Sequence, residues 1–432
     1  MFRNGNKREF PELIITQQIN LKTIAMRKKM KNAFVWVVAL LLLLAVCGVL
    51  YRVNLTFAKQ NPGGNDFLAR WMGARFVLQG VQPYDDRVGL ATQQWIYGHA
   101  ADPSRGEDLS RFAYPLYAMI FFGPFGFFDF PTARALWMTL LEMSTAAFAL
   151  LMAAIGGWES QRGKTVVWIL FALSGYFGLR GIINGNPVVL AGLFLASAIF
   201  LFGKGYPLQA GIVLAFATIK PQIAIFPILW LVLWCLFQKR YSLLVSFGIT
   251  LAVLIGAGML FVPNWIVLNI REIIAYPGYT EPGTPSAVFG IWFGETGKAA
   301  GWIFSLLLLA GLLWVWAKSV KSSYQNFLFI MAVTISAAPL LGIPFDPGNE
   351  YLLLLPIALG LSIWKDSSWK NIIPWALTLG AIFFGLWMIF LFTVQKGTQP
   401  VQNPIMLFPL PVFLLAWFAL LYIGNKRFLL AG

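Results

Sequence analysis

The sequence predicts an all-α polytopic membrane protein with about twelve transmembrane helices, and three observations carry that expectation. Of its 432 residues, 59% are hydrophobic and only 11% charged, which is more apolar surface than a soluble domain of ordinary composition can hide. Apolar runs recur along the whole length between short polar turns, as expected when each backbone polar group must be satisfied inside a helix. The basic residues cluster in every second loop. A net charge of +15 is compatible with nucleic acid, but the clusters flank apolar runs and form no single stripe, so no nucleic-acid partner is expected.

Residues 1–32 form a basic segment, with Met26 as an alternative start; Arg27, Lys28, Lys29 and Lys31 beside the first apolar run place the N-terminus in the cytoplasm. That run, 33–51, rises roughly 28 Å as a helix, about the thickness of the hydrocarbon layer. Arg52-Val53-Asn54-Leu55-Thr56 after it offers no small-residue cleavage site, so the run reads as an anchor. It opens a single transmembrane domain, 33–430, whose first extracytoplasmic loop spans 52–111. An apolar stretch at 112–128 is broken by Pro115, Gly123, Pro124 and Gly126. Further spans are expected at 132–155, 165–183, 187–202, 207–219, 222–237 and 243–262, then, after a second outer loop at 263–300, at 301–317, 327–341, 351–364, 372–394 and 405–423.

Arg162 with Lys164, Lys204, Lys239 with Arg240, Lys318 with Lys321, Lys365 with Lys370, and Lys426 with Arg427 mark the cytoplasmic loops. The alternate loops carry Asp66, Asp85, Asp86, Asp102, Glu272, Glu281, Glu295, Asp346 and Glu350 and face outward. Counting 112–128 as a crossing would invert the later loops, so that stretch reads as re-entrant or juxtamembrane. The expectation is a multi-pass protein of the cell membrane with both termini cytoplasmic. Two spans, 207–219 and 351–364, rise only about 20 and 21 Å, so their outer ends at Lys220 and Glu350 must open into a protein-lined or watered cavity.

The candidate chemistry gathers on that outer side. From Asp66 onward, Phe67, Trp71, Ala74 and Leu78 share a helical face, which predicts a short amphipathic helix on the membrane surface with Asp66 at its N-cap. Asp66 either caps that helix or stands as a carboxylate able to take a proton from an attacking hydroxyl. Asn184-Gly185-Asn186-Pro187 is either a tight turn or the start of a helix whose free N–H groups attract phosphate, with Asn186 as cap and Pro187 at the first position. Arg180, one turn earlier, is costly in lipid if unpaired. Lys220-Pro221 either snorkels to water or meets an anion such as phosphate. Glu142 lies mid-span with no evident partner, and His99 falls in a polar loop. Cys47 and Cys235 sit inside predicted spans and His99 is the one histidine, so disulfides, bis-histidine haem and an ordinary zinc site are not expected.

The order Asp66-Phe67, Gly73-Ala74, Gly80, Pro83-Tyr84, Tyr114-Pro115, Gly185-Asn186, Ala210-Gly211 and Lys220-Pro221 resembles the polyprenol-phosphate-sugar-dependent glycosyltransferases of the GT-C class. Within that class it resembles glycosyltransferase family 87, whose members are similar to mycobacterial phosphatidylinositol mannoside mannosyltransferases. The resemblance covers roughly residues 60–240. It implies a GT-C-like bundle with a long first extracytoplasmic loop. It also implies inverting transfer of a sugar, mannose by family default, from a polyprenyl-phosphate donor to a glycolipid or glycan acceptor.

In that reading Asp66 is the general base, and Asn186 and Lys220 line the donor side. Arg70, Tyr84, Arg180, Asn184 and Glu350 complete the candidate substrate contacts. The developing phosphate charge needs fixed cations or N–H dipoles. A divalent cation could share that task through Asp85 or Asp86, though no acidic cluster demands one. Where the family often has a histidine after a late outer loop, this chain has Phe345-Asp346-Pro347-Gly348-Asn349-Glu350-Tyr351. A transporter or lipid flippase would share the spans and buried charges, but such folds commonly repeat in two halves and no repeat is evident here.

Overall fold

The computed structural model describes residues 9–280, 283–365, 368–395 and 402–424, and their side chains from residue 34 on apart from Pro347. Glu281, Lys426 and Arg427, on which part of the loop assignment rested, lie outside the described residues, as does the C-terminus.

The described residues are helical throughout, with no strand. Helix α1 (Glu9–Gln60) leads into the short helices α2 (Asn65–Leu78) and α3 (Asp86–Tyr97). The Pro- and Gly-broken stretch folds as a turn at Leu116–Ala118, the short α4 (Met119–Phe122) and a 3-10 turn at Gly123–Phe127. Prolines 115 and 124 lack the N–H a continuous helix would need there. Next come α5 (Phe130–Ile155), α6 (Arg162–Ser174), α7 (Tyr176–Asn184), α8 (Val188–Gly203), α9 (Pro207–Ala217), α10 (Pro221–Phe237) and α11 (Tyr241–Phe261). The chain then forms α12 (Trp265–Ala275), α13 (Pro285–Ser319), α14 (Tyr324–Ala337), α15 (Leu354–Leu361), α16 (Trp369–Thr393) and α17 (Pro409–Gly424).

Six of these are long and apolar enough to cross a membrane: Phe34–Gln60, Phe130–Ile155, Tyr241–Phe261, Pro285–Ser319, Trp369–Thr393 and Pro404–Gly424. The pair α6 and α7 makes a seventh if taken as one span bent by 51°. The expected run at 165–183 is therefore two helices. A Cβ at Gly175, between them, would lie 2.6 Å from the Phe171 carbonyl oxygen, so the bend falls where a side chain would crowd the preceding turn. The remaining expected spans are shorter apolar helices, including Pro207–Ala217 and Gly348–Trp364.

Helix α5 is the hub, packing on α1, α2, α6, α7, α8 and α15. Small residues let helices approach closely, as packing in lipid requires: a Cβ at Gly211 of α9 would meet Ser246 Oγ of α11 at 2.0 Å. Leu260, Phe261 and Phe392 keep more than four-fifths of their surface exposed, the lipid-facing side of the bundle.

Glu142 finds its partner across the α1–α5 seam, where Asn54 donates to its carboxylate at 2.9 Å and to Thr139 Oγ1 at 3.1 Å. Asn54→Leu strands that acid, so thermal unfolding in detergent is expected to show about 1–3 kcal/mol of lost stability. Glu142→Leu in the same background should restore most of it.

Two expectations are corrected. Helix α13 begins at Pro285, not at 301, so part of the expected second loop is helical; a kink at Gly294 (φ 65°, ψ −150°) separates its short first part from the longer remainder. Helix α2 does not turn its apolar face to lipid: that face is packed against protein. Phe67, Leu68, Ala69, Trp71, Met72, Gly73 and Ala74 are all buried, covered by α3, α5 and the Gly123–Phe127 turn.

Candidate active site

Helix α2 starts from two glycines in left-handed or positive-φ geometry, Gly63 at φ 111° and Gly64 at φ 78°. Gly64 is the N-cap and Asp66 stands inside the first turn, so Asp66 is not the cap; the helix dipole still favours its negative charge there. Arg70, four residues on, shares its face and lies 4.4 Å from the Tyr114 ring centroid. Burial opposes the Arg70 charge, but the neighbouring Tyr114, Asp66 and Tyr276 outweigh it and hold the guanidinium charged.

Lys220 approaches the same Tyr114 ring, its Nζ 5.8 Å from the centroid. Only 4% of the residue is exposed, so it does not snorkel. It donates to Asn186 Oδ1 at 2.6 Å, and among the described residues no carboxylate lies within ion-pair distance. Asn186 Oδ1 also accepts the Val188 N–H at 3.0 Å, while its Nδ2 donates to Asn349 Oδ1 at 3.2 Å. The first N–H of α8 is thus already satisfied, and Asn186 serves as a lysine anchor more than as the rim of an open helix end. The cap residue is Pro187. Asn184 closes α7 one residue before the left-handed Gly185.

Arg180 finds partners in Tyr176 Oη, 3.1 Å away, and Asp346 Oδ1 at 3.8 Å. Its guanidinium is therefore not left alone in the apolar layer. Asp346 also accepts the Gly348 N–H, which shapes the turn that presents Asn349 and Glu350. Glu350 is 0% exposed and neither of its carboxyl oxygens has a partner.

The sequence did not single out Asp108, Tyr276 or Asn349. Asp108 accepts the Ser110 N–H, and Ser110 adopts φ 50°, a conformation that non-glycine residues rarely hold without a local reason. Burial pushes the Asp108 carboxyl above its usual range, against hydrogen bonds from Ser110 and Thr280 and the charge of Arg70, with Asp66 adding to the push. Burial likewise keeps the Tyr276 phenol protonated, reinforced by Asp346, Asp108 and Asp66. Tyr276 therefore sits within electrostatic reach of both the Asp66 side and the Asp346 side of the site. No sequence motif marks these loop residues; only the fold assembles them.

Other candidates take supporting places. Tyr84 donates its hydroxyl to the Tyr114 carbonyl at 2.6 Å, so it holds the ring that Arg70 and Lys220 flank. Asp85 is paired with Arg87 at 2.9 Å and caps α3. The hydrogen bonds from the Arg87 side chain and backbone hold its carboxyl down at about 2. Asp86 pairs with Arg111 at 3.2 Å, and Arg111 reaches on to Glu272 at 3.3 Å. Both acids considered as cation ligands are thus engaged by arginine. No group of three or more metal-ligating side chains is found among the described residues. His99, expected to be solvated, is exposed and lies 3.1 Å from Glu107.

Arg70 and Lys220 thus both approach one ring, that of Tyr114, with Asp66 a helical turn from the first and Asn186 bound to the second. Over residues 112–344, more than half of the chain, the sequence matches the model of glycosyltransferase family 87, and the protein belongs to that family. The matched region contains Tyr114, Arg134, Arg180, Asn186 and Lys220, while Asp66, Arg70, Asn349 and Glu350 lie outside it. No curated protein and no solved structure matches the chain.

Proposed function

We propose that this family 87 membrane glycosyltransferase moves a sugar, mannose by family default, from a polyprenyl-phosphate donor to an acceptor hydroxyl on a glycolipid or glycan at the extracytoplasmic face. Asp66 accepts the proton of that hydroxyl, and the freed oxygen attacks the anomeric carbon. The bond from that carbon to the phosphate oxygen breaks, and polyprenyl phosphate departs with the electron pair. One direct displacement of this kind inverts the anomeric configuration.

The observation that supports the reading most is the pairing of Arg70 and Lys220 about Tyr114, with no carboxylate within ion-pair distance of Lys220 among the described residues. A buried ammonium held by a neutral carboxamide is set to receive an anion, and a phosphate leaving group needs such fixed charge. Asn186 and Asn349 orient Lys220, Arg180 with Asp346 shapes the neighbouring wall, and the unpartnered Glu350 carboxyl suits the hydroxyls of a sugar. A base within reach of the acceptor contributes about 10² to 10⁴ in rate.

The test is a reconstituted assay with labelled polyprenyl-phosphate hexoses that scores both glycoside formation and the anomeric configuration of the product. An inverted glycoside is expected. Movement of the intact lipid-linked sugar across the bilayer with no new glycosidic bond, or a product of retained configuration, contradicts the proposal. The orientation is checked by a reporter fused after Arg162, which should read cytoplasmic.

A further inference from the structure

We infer that Arg134 is a positioning residue for the transfer reaction: its buried guanidinium fastens the backbone leading to Asp66 onto the backbone leading to Asn186. The inference rests on the reading of Asp66 as base given above.

Arg134 lies in the first turns of α5 and is 1% exposed. A charge in that place ordinarily demands a carboxylate, yet none is within ion-pair distance among the described residues. Instead Nη1 donates to the Asn61 carbonyl at 2.8 Å and Nη2 to the Ile183 carbonyl at 3.3 Å. The face of the Phe57 ring covers the group, with Cζ 5.4 Å from its centroid. The planar fork of a guanidinium reaches two acceptors in fixed directions, which a single ammonium cannot do.

Those acceptors lie just before the two segments that carry the chemistry. Asn61 precedes the Gly63-Gly64 turn into α2 and Asp66. Ile183 precedes Gly185 and Asn186, the anchor of Lys220.

The fit on the Asp66 side is close. A Cβ at Gly64 would stand 2.6 Å from Arg134 Nε and 3.0 Å from its Cδ, so the backbone lies directly against the guanidinium. One turn further along α5, Trp137 repeats the bridge. Its Nε1 donates to the Gly185 carbonyl at 2.8 Å, and its ring stacks on Phe67, the neighbour of Asp66, at 5.1 Å and 9°. A Cβ at Gly185 would meet Phe67 Cβ at 2.5 Å, so the two segments touch. Helix α5 thus sets the separation between the carboxylate and the Lys220–Asn186 pair. Misplacing a reacting group by about 1 Å costs on the order of 10²-fold in rate.

The test uses the full chain in proteoliposomes with labelled polyprenyl-phosphate mannose. Arg134→Met is expected to lower kcat at least tenfold while KM for the donor changes less than twofold. Arg134→Lys should regain part of the rate, and Gly64→Ala should give the same loss confined to kcat although Arg134 is intact. A wild-type kcat in Arg134→Met overturns the inference. So does a loss that tracks lowered thermal stability, extends to KM and is not relieved by lysine.

A second readout does not involve catalysis. Spin labels at Pro62→Cys and Asn184→Cys, in a background lacking Cys47 and Cys235, should show a broadened distance distribution when Arg134→Met is added. An unchanged distribution overturns the clamp even if Asp66 proves to be the base. Broadening together with a fully active Asp66→Asn retains the clamp and removes only the base assignment.

Discussion

Asp66→Asn is expected to lower the rate of sugar transfer by about 10² to 10⁴-fold while leaving donor affinity within about twofold of wild type. Asparagine preserves the size of the side chain and its place in the first turn of α2, where Gly64 and not Asp66 is the cap, so the helix should form as before. The change removes the proton acceptor and one negative charge beside Arg70, whose charged state Asp66 helps to hold. A substitution acting on the transition state alone lowers kcat and kcat/KM together, whereas one that merely loosened the pocket would raise KM. Single-turnover measurement with bound labelled donor separates the two. Transfer within threefold of wild type in the folded variant excludes Asp66 as the base.

Lys220→Met is expected to reduce kcat/KM by about 10² to 10³-fold, the range found when a fixed donor to developing negative charge is lost. Methionine keeps most of the apolar stem, so packing between the ends of α9 and α10 should persist. The residue is 4% exposed, and its ammonium contacts the Asn186 carboxamide at 2.6 Å and the Tyr114 ring. The defect should reach both donor binding and chemistry, in contrast to Asp66→Asn, because the donor phosphate is already anionic before the sugar leaves. Lys220→Arg should recover little, since the longer planar group cannot take up the Asn186 geometry unchanged. Retention of wild-type kcat/KM in Lys220→Met, measured on the purified protein, refutes a phosphate role for this side chain.

Helix positions were the most legible part of the sequence, because lipid enforces apolar runs of helical length whatever the tertiary contacts. The expected run at 132–155 corresponds to Phe130–Ile155 and that at 243–262 to Tyr241–Phe261. What the hydropathy pattern concealed were features set by close approach. The bend at Gly175 brings that residue against the Phe171 carbonyl, and the burial of α2 depends on α3, α5 and the 123–127 turn, neither of which a hydropathy window records.

For the site, Asp66, Asn186 and Lys220 were visible as costly or cap-like residues at helix ends, and Arg70 as a candidate substrate contact. Their partners were not. Asp346 meets Arg180 and Asn349 meets Asn186 only across long stretches of chain. Arg134 carried a signal that passed unread, a lone cation early in an otherwise apolar run. Asp108 and Tyr276 carried none, being ordinary residues between spans until their two segments meet at Thr280.

The ring shared by Arg70 and Lys220 has a bearing on turnover. A polyprenyl-phosphate sugar is a phosphodiester with one negative charge, whereas the polyprenyl phosphate left behind is a monoester carrying about −1.5 to −2 near neutral pH. Cations that stabilise the departing group therefore grip the spent lipid more tightly than the fresh one. On the proposed reaction, emptying the pocket, more than making the glycoside, sets the pace: a rapid first round ahead of slower cycles, and inhibition by accumulated carrier lipid that eases as ionic strength rises.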